Sequence, residues 1–340
     1  MVENLTRRQA LQLGGATALI AVAGCIGDDD DTGGTTGDAP AYAEGIPTVD
    51  DEVFILYLDI EGLDELEDEL EDEDDGPQDD DSEFGEIEDP LLGLATAGLI
   101  GIAFVAGFAF IGTGLSGILD DEDEFETSIS ELYLANDAVV AGGDIDTDEV
   151  DDALTDVPEG GFMTAYEQVD EVGNYVFYEP ADGNQEQVLA VSDNRILLGD
   201  TRPEIDPIVE TDSGDRAPAI EEYEAFEWLL STAGHGHLVF AGYSPDGFED
   251  EEPAEVEGET DEFEEIIGAN GLSSSLTLGD REMNADLALE FDELSEETRA
   301  EIEELLEEET AALAETYSLE FDGNRVVASA TYSEDALDTI

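Results

Sequence analysis

The sequence contains no lysine, a single cysteine and only 8 basic residues among its 340, against 94 acidic residues and a formal net charge of −86. The absence of lysine excludes Schiff-base chemistry and any other mechanism that needs a lysine amine. One cysteine cannot form an internal disulfide, so the fold must be stabilised by packing. So large an excess of negative charge also makes nucleic acid an unsuitable partner.

The one cysteine, Cys25, stands at the end of an N-terminal segment that has the pattern of an export signal. Arg7 and Arg8 precede an apolar stretch over residues 11–22, and small residues come directly before Cys25. A positive region, a short apolar region and a small-residue cleavage site are typical of a secretory signal peptide. The alternative is an uncleaved membrane anchor with an incidental cysteine. Both interpretations place the chain at a membrane.

Arg7 and Arg8, with Leu11 in register, resemble the twin-arginine class of export signal. Residues 22–25 resemble a lipobox, in which the cysteine is alkylated by lipid and becomes the mature N-terminus. Together with the acid load and the lack of lysine, these features make the chain similar to haloarchaeal lipoproteins of the cell envelope. The resemblance implies a signal peptide over 1–24, a lipid on Cys25 and a location on the extracytoplasmic face of the cytoplasmic membrane. It implies no particular activity.

An extremely salty environment would explain how so acidic a chain remains compact. At ordinary ionic strength, a charge of −86 strains the folded state through self-repulsion. In molar salt the screening length is about 3 Å, so neighbouring carboxylates interact little. The hydrophobic fraction of 41% is large enough for a packed core.

Composition divides the mature chain into a tether and two segments of mixed secondary structure. Residues 25–50 are acidic and rich in glycine and threonine, which is typical of a flexible tether. We predict a first α+β half over 51–235 and a second over 236–340. Each half contains a long acidic loop, at 64–90 and at 249–265.

The pattern of apolar and turn residues predicts the elements of both halves. Residues 53–60 are apolar at nearly every position, which favours a central strand buried on both faces. Turn signals of Asn, Asp or Gly predict β-hairpins at 135–137, 173–174, 193–194 and 323–324. Helical patterns follow at 147–156, 218–231 and 295–315. A similar order of strand, helix and hairpin in 139–177 and 286–328 indicates an internal repeat.

These observations predict an α+β protein of two similar halves, each an antiparallel sheet with helices packed on one face, plus a glycine-rich apolar segment. That segment, residues 91–119, carries no charge and is long enough for a transmembrane helix. No basic residue flanks it, and a single crossing would separate strand 53–60 from everything that follows. We therefore favour a buried or re-entrant hairpin over a true span. A membrane contact through this segment would supplement the lipid on Cys25.

No recognised catalytic or cofactor-binding motif occurs in the sequence. His235 and His237 could ligate a metal, but two ligands separated by one glycine do not form a recognised site, so we predict neither metal nor cofactor. We expect a non-enzymatic, lipid-anchored protein that serves in binding or in envelope assembly, with an unknown protein or apolar ligand as partner. The alternatives are a carrier of a lipid or other apolar ligand, held between sheet and helices, and a carboxylate-dependent hydrolase.

Overall fold

The computed structural model of the chain describes residues 37–63, 89–95, 110, 113–115, 118, 126–156, 164–183, 187–247, 268–279, 282–308 and 310–333. The predicted signal peptide with Arg7 and Arg8, the predicted lipidation site Cys25 and most of both acidic loops lie outside the described residues.

Twelve strands run through the described residues. They are β1 Val53–Asp59, β2 Ser128–Ala135, β3 Ala138–Asp144, β4 Tyr166–Val172, β5 Tyr175–Pro180, β6 Val188–Val191, β7 Arg195–Gly199, β8 Leu238–Tyr243, β9 Gly271–Leu278, β10 Glu282–Glu290, β11 Thr316–Asp322 and β12 Arg325–Ser333. The helices are a 3-10 helix Ala41–Gly45 and α1 Thr147–Thr155, α2 Arg202–Asp212, α3 Ala219–Glu222, α4 Glu224–Ala233, α5 Glu296–Glu308 and α6 Thr310–Leu313. Residues 90–95 are also helical.

All twelve strands belong to one antiparallel sheet in the order β11-β12-β10-β9-β8-β1-β2-β3-β7-β6-β5-β4. β1 lies in the middle, between β8 and β2, so the prediction of a central strand at 53–60 is confirmed. The strands of the two predicted halves therefore share a single sheet instead of forming two. Mixed helix and strand around a large antiparallel sheet agrees with the α+β class.

The predicted hairpin turns join β2 to β3, β4 to β5, β6 to β7 and β11 to β12. Asn136, Gly173 and Gly323 adopt positive φ angles of 51°, 62° and 65°, which asparagine and glycine tolerate best. Asn136 also fixes its turn to the neighbouring strand β1, because its Oδ1 accepts the backbone N–H of Phe54 at 3.1 Å. Local turn chemistry thus determines much of the strand pairing.

Helices cover both faces of the sheet, so the prediction of helices on one face is wrong. On the first face, α1, α5 and residues 91–95 pack on a core that includes Leu56 and Leu58 of β1. On the second face, the 3-10 helix, α2, α3 and α4 pack on a core that includes Val53 and Ile55. The physical reason lies in β1 itself: both sets of its alternating side chains are apolar, and each set must be removed from water.

Most of the described residues of the apolar segment are buried against the first face. Leu91, Leu92, Phe110 and Leu115 have at most 2% of their surface exposed and belong to the first-face core. Among the residues that the structure describes, no helix is long and apolar enough to cross a membrane. Residues 96–109 lie outside the described part of the chain.

A fully buried carboxylate, that of Asp89, fixes the start of this segment. Its Oδ1 accepts the backbone N–H groups of Leu91 at 2.9 Å and Leu92 at 3.3 Å, as an N-cap does. The hydroxyls of Thr310 in α6 and Tyr332 in β12 donate to the same carboxylate at 3.1 and 2.8 Å. Asp89 therefore joins the apolar segment to elements more than 200 residues away in the sequence.

We expect Asp89→Ala to lower the free energy of unfolding by about 3 kcal/mol, because it leaves two buried hydroxyls and a helix N-terminus without their acceptor. The measurement is denaturant-induced unfolding in molar salt, followed by circular dichroism. Asp322→Ala removes an exposed carboxylate at the end of β11 and should cost no more than about 0.5 kcal/mol. Equal stabilities of the two variants would show that Asp89 does not hold the segment in place.

Candidate functional site

A row of polar side chains crosses the second face of the sheet. Its members occupy paired positions on successive strands, and we call them the polar row: Asn284 on β10, Thr277 on β9, His237 before β8, Asp59 on β1, Glu131 on β2 and Arg195 on β7, with Gly142 between the last two on β3. The next positions along β1, β2, β3 and β7 on the same face are Tyr57, Tyr133, Val140 and Leu197, which belong to the second-face core or pack against it. The polar row therefore borders that core.

One end of the polar row opens into a groove of ≈ 580 Å³. The groove is a shallow depression of the sheet surface and not an enclosed cavity. The residues that line the groove are Glu61, Ser128, Ser130, Glu131, Gly143, Asp144, Asn194 and Arg195. They come from β2, β3, the start of β7 and the residues directly after β1. The groove is open to solvent, and most of its lining is polar.

A β-bulge and two glycines shape the groove. The register between β2 and β3 shifts at Ser130, so no residue of β3 lies opposite it in the ladder, and its hydroxyl donates to the carbonyl oxygen of Gly142 at 3.4 Å. Bulges redirect a side chain and often occur beside functional sites. A Cβ atom on Gly142 would lie 2.5 Å from Oε1 of Glu131, and one on Gly143 would lie 2.0 Å from the carbonyl oxygen of Ser128. Only glycine lets the backbones and the Glu131 carboxylate approach so closely.

Glu131 is the partly buried carboxylate of the groove. Burial raises its pKa, and the facing carboxylate of Asp59 acts in the same direction. The Arg195 guanidinium and a hydrogen bond from the Tyr57 hydroxyl oppose this rise in the pKa without cancelling it. Burial therefore disfavours the ionised form of Glu131, and the hydrogen bond from Tyr57 and the charge of Arg195 do not fully offset that cost.

Arg195 forms the cationic end of the groove. Its guanidinium makes an ion pair with Asp212 at the end of α2, and the side chains of the two residues are only 13% and 17% exposed. The Tyr175 hydroxyl donates to the same Asp212 carboxylate. A Cβ atom on Gly45 would lie 2.5 Å from Nη1 of Arg195, so the 3-10 helix packs directly on the guanidinium. Arg195 is therefore held in position by its own strand β7, by α2 and by the 3-10 helix.

Tyr133, two residues from Glu131 on the same face of β2, carries a fully buried hydroxyl with no hydrogen-bond partner among the described residues. Burial raises its pKa, and the charges of Arg195, Glu131 and Asp212 all influence it. A buried donor without an acceptor is uncommon in folded proteins. Among the described residues, Tyr133 is therefore a buried polar group without a partner, two positions from Glu131 on the same strand.

The two histidines considered as metal ligands are used in other ways. Nε2 of His235 lies 2.9 Å from the carbonyl oxygen of Asp38, and Nδ1 of His237 accepts the backbone N–H of Leu278 at 3.0 Å. Burial lowers the pKa of His237, which favours the neutral ring. Within the described part of the chain, no three His, Cys, Asp or Glu side chains are grouped so as to hold a metal ion.

The sequence did not predict the residues of the groove. Cys25, Arg7 and Arg8, the site residues it did predict, lie outside the described residues. Two signals could have indicated the groove: the adjacent glycines 142–143 inside a strand, and Arg195, one of very few cations, at the start of an apolar strand. The carboxylates gave no signal, because acidic residues occur throughout the sequence.

Comparison with known proteins gives no family for this chain. No protein-family model matches it, and no curated protein matches it. Solved structures of TP0453 in crystal forms III, I and IV align with TM-scores of 0.39, 0.38 and 0.37 and identities of 9%, 11% and 10%. These alignments cover 88%, 87% and 90% of this chain and 96%, 94% and 98% of those chains. Nothing about function is transferred at this level of similarity.

We expect the free energy of unfolding of Glu131→Gln, minus that of the unmodified protein, to increase as the pH rises. Because the pKa of Glu131 is higher in the folded state than in the unfolded state, the folded state binds more protons between the two values. The contribution of Glu131 to stability is therefore greatest below the unfolded pKa and is lost as the pH rises through the folded pKa.

The measurement is the difference in unfolding free energy between Glu131→Gln and the unmodified protein, at a series of pH values from 3 to 8 (about one unit apart) in molar salt. Glu179→Gln, an exposed substitution on β5, serves as the matched control. A difference for Glu131→Gln that stays constant or falls with pH would contradict the inferred environment of this carboxylate.

Proposed function

We propose that this chain is a non-enzymatic, lipid-anchored protein on the outer face of the cytoplasmic membrane of a halophilic archaeon, and that its sheet binds a polar ligand in the groove. The groove supports the binding role, and the N-terminal sequence pattern supports the lipid anchor and the location. The groove brings together the adjacent glycines 142–143, the β-bulge at Ser130, the partly buried carboxylate of Glu131 and the fixed guanidinium of Arg195.

The chemistry of the groove favours binding over catalysis. The described residues that line it include no histidine and no cysteine, and its one cation is already paired with Asp212. Its hydroxyls, amide, carboxylates and guanidinium are hydrogen-bond donors and acceptors. The alternatives of an apolar carrier and of a carboxylate-dependent hydrolase remain predictions, and no described contact favours either.

The position of the tether supports action close to the membrane. The 3-10 helix Ala41–Gly45 packs into the second-face core, although the sequence predicts a tether over 25–50, so the tether ends at Pro40. Tyr42 in this helix donates to the carbonyl oxygen of Gly234 at 2.8 Å. Roughly 15 residues separate Cys25 from that point, so a lipid on Cys25 would hold the domain within about 50 Å of the membrane. Because Gly45 packs on Arg195, the groove lies next to the attachment point of the tether.

Duplication of one unit would explain the strand order, and we include it in the proposal. The spatial order β1-β2-β3, then β5-β4, corresponds to β8-β9-β10, then β12-β11. Helix α1 follows β3 as α5 follows β10. The first unit differs by the hairpin β6–β7, which is inserted between β3 and β5. Arg195 belongs to this additional hairpin, so the groove occurs where the first unit departs from the second. A site added to a repeated scaffold is typical of a specific function.

A thiol placed in the groove tests the proposed location and the lipid on Cys25 together. Because Cys25 is the only natural cysteine and its sulfur would be alkylated, Ser128→Cys should provide the only reactive thiol of the mature chain. Ser128 is exposed and lines the groove. We expect a membrane-impermeant maleimide to label this variant in intact cells kept in molar salt.

Two controls complete the experiment. The unmodified protein should not react even after denaturation, since its sulfur carries the lipid. Ser274→Cys, at a position with no exposed surface, should react only after denaturation. Labelling of Ser128→Cys only after cell lysis would contradict the extracytoplasmic location, and a reactive thiol in the unmodified protein would contradict lipidation.

A further inference from the structure

We infer that the groove binds a neutral oligosaccharide, recognised through its hydroxyl groups. This inference rests on the proposed binding function and names the class of ligand. Four other classes of ligand are disfavoured by the residues that line the groove, and the remaining chemistry fits hydroxyl groups arranged along a short chain.

Anions, metal ions and apolar compounds do not suit the groove. Three carboxylates, those of Glu61, Glu131 and Asp144, line it against one guanidinium, which is already paired with Asp212. An anionic ligand in contact with these groups would meet like charge at short range and no free cation, so it is disfavoured. The described residues provide no group of three acids or histidines arranged for a metal ion. An apolar ligand would leave the carboxylates and hydroxyls without partners, which is costly.

A zwitterion such as an amino acid is also a poor fit. Its ammonium group could reach a carboxylate, but its own carboxylate would need Arg195. That guanidinium is already paired with Asp212, and Glu131 is close enough for the two charges to interact. The ligand carboxylate would therefore meet a cation that is already neutralised, inside a groove of net negative charge. In molar salt, screening would weaken such charge pairing further.

Sugar hydroxyls match the arrangement that remains. Each hydroxyl donates one hydrogen bond and accepts up to two, so it can bridge neighbouring donors and acceptors. The groove presents acceptors on Glu131, donors on Arg195, and groups of both kinds on Ser130 and Asn194. Directional hydrogen bonds of this type are less sensitive to salt than charge attraction between exposed groups.

Among the acceptors of the groove, the carboxylate of Glu131 would be stabilised most by additional hydrogen bonds from a ligand. It is partly buried, and the one hydrogen bond that contributes to its ionisation comes from the Tyr57 hydroxyl. A carboxylate in this position can accept further donors, and charged acceptors form stronger hydrogen bonds than neutral ones. Because the groove is open to solvent, a single sugar unit would be buried only in part. Several linked units would be needed for useful affinity.

The test is calorimetric titration of the full mature chain in molar sodium chloride. The probes are cellotetraose, maltotetraose and mannotetraose as neutral oligosaccharides, tetragalacturonate as an anionic one and L-alanine as a zwitterion. We expect at least one neutral tetrasaccharide to bind, and Asn194→Ala and Ser130→Ala to weaken that binding by about five- to tenfold each.

Matched substitutions elsewhere on the same face serve as controls. Asn284→Ala, on β10 four strands from β2, and Ser318→Ala, on β11, should leave the affinity unchanged. The thermal midpoint and circular dichroism of each variant establish that it folds. Asn194 and Ser130 are tested separately, so if one variant does not fold, the other still tests the inference.

The outcomes separate this inference from the proposed function. Binding of a neutral tetrasaccharide that weakens only in the groove variants supports both. Binding of L-alanine or tetragalacturonate alone, weakened by the groove variants, overturns the oligosaccharide and leaves the binding function standing. Tetrasaccharide binding that both groove variants leave unchanged overturns the assignment to this groove, and the absence of binding by all five probes overturns the inference itself.

Discussion

Strand β1 pairs with β2 on one side and with β8 on the other, and this double pairing joins all twelve strands into one sheet. Because both sets of alternating side chains on β1 are apolar, both faces of the sheet must be covered. Helices and the apolar segment supply that cover, and the polar row marks the border of the second-face core. The groove follows from this arrangement, since it forms where β7 joins β3 beside the end of β1.

Scarcity of cations is the second constraint, and the structure uses each described arginine to connect elements. Arg195 links β7 to α2, while Arg202 bonds to Asp170 on β4 and stacks on Phe177. Arg325 bonds to Glu290 on β10 and lies 4.3 Å from the Trp228 ring of α4. Carboxylates take the structural roles that remain, as Asp89 does at the apolar segment. In molar salt, contacts of this short range persist while the general repulsion between surface acids is screened.

The sequence predicted those features that depend on local chemistry. β1 was recognised from its apolar run, and the hairpins from Asn136, Gly173 and their equivalents. Helix α2 was missed because Pro207 lies in its interior, where proline normally argues against a helix. The second helical layer and the groove could not be predicted, because both depend on which strands become neighbours. Glu131 in particular is distinguished from the other acids only by its burial beside Tyr57, Asp59 and Arg195.

The central claim is that the two arrays of strands on either side of the β1–β8 pair form one folded unit that positions the groove. Native-state hydrogen exchange in molar salt tests it directly, because each amide reports the free energy of the opening that exposes it. The account predicts that the most protected amides of β3 and of β10 exchange with the same free energy, equal to that of global unfolding. A lower value across β8–β12 than across β1–β7 would show two units that unfold separately, and would contradict it.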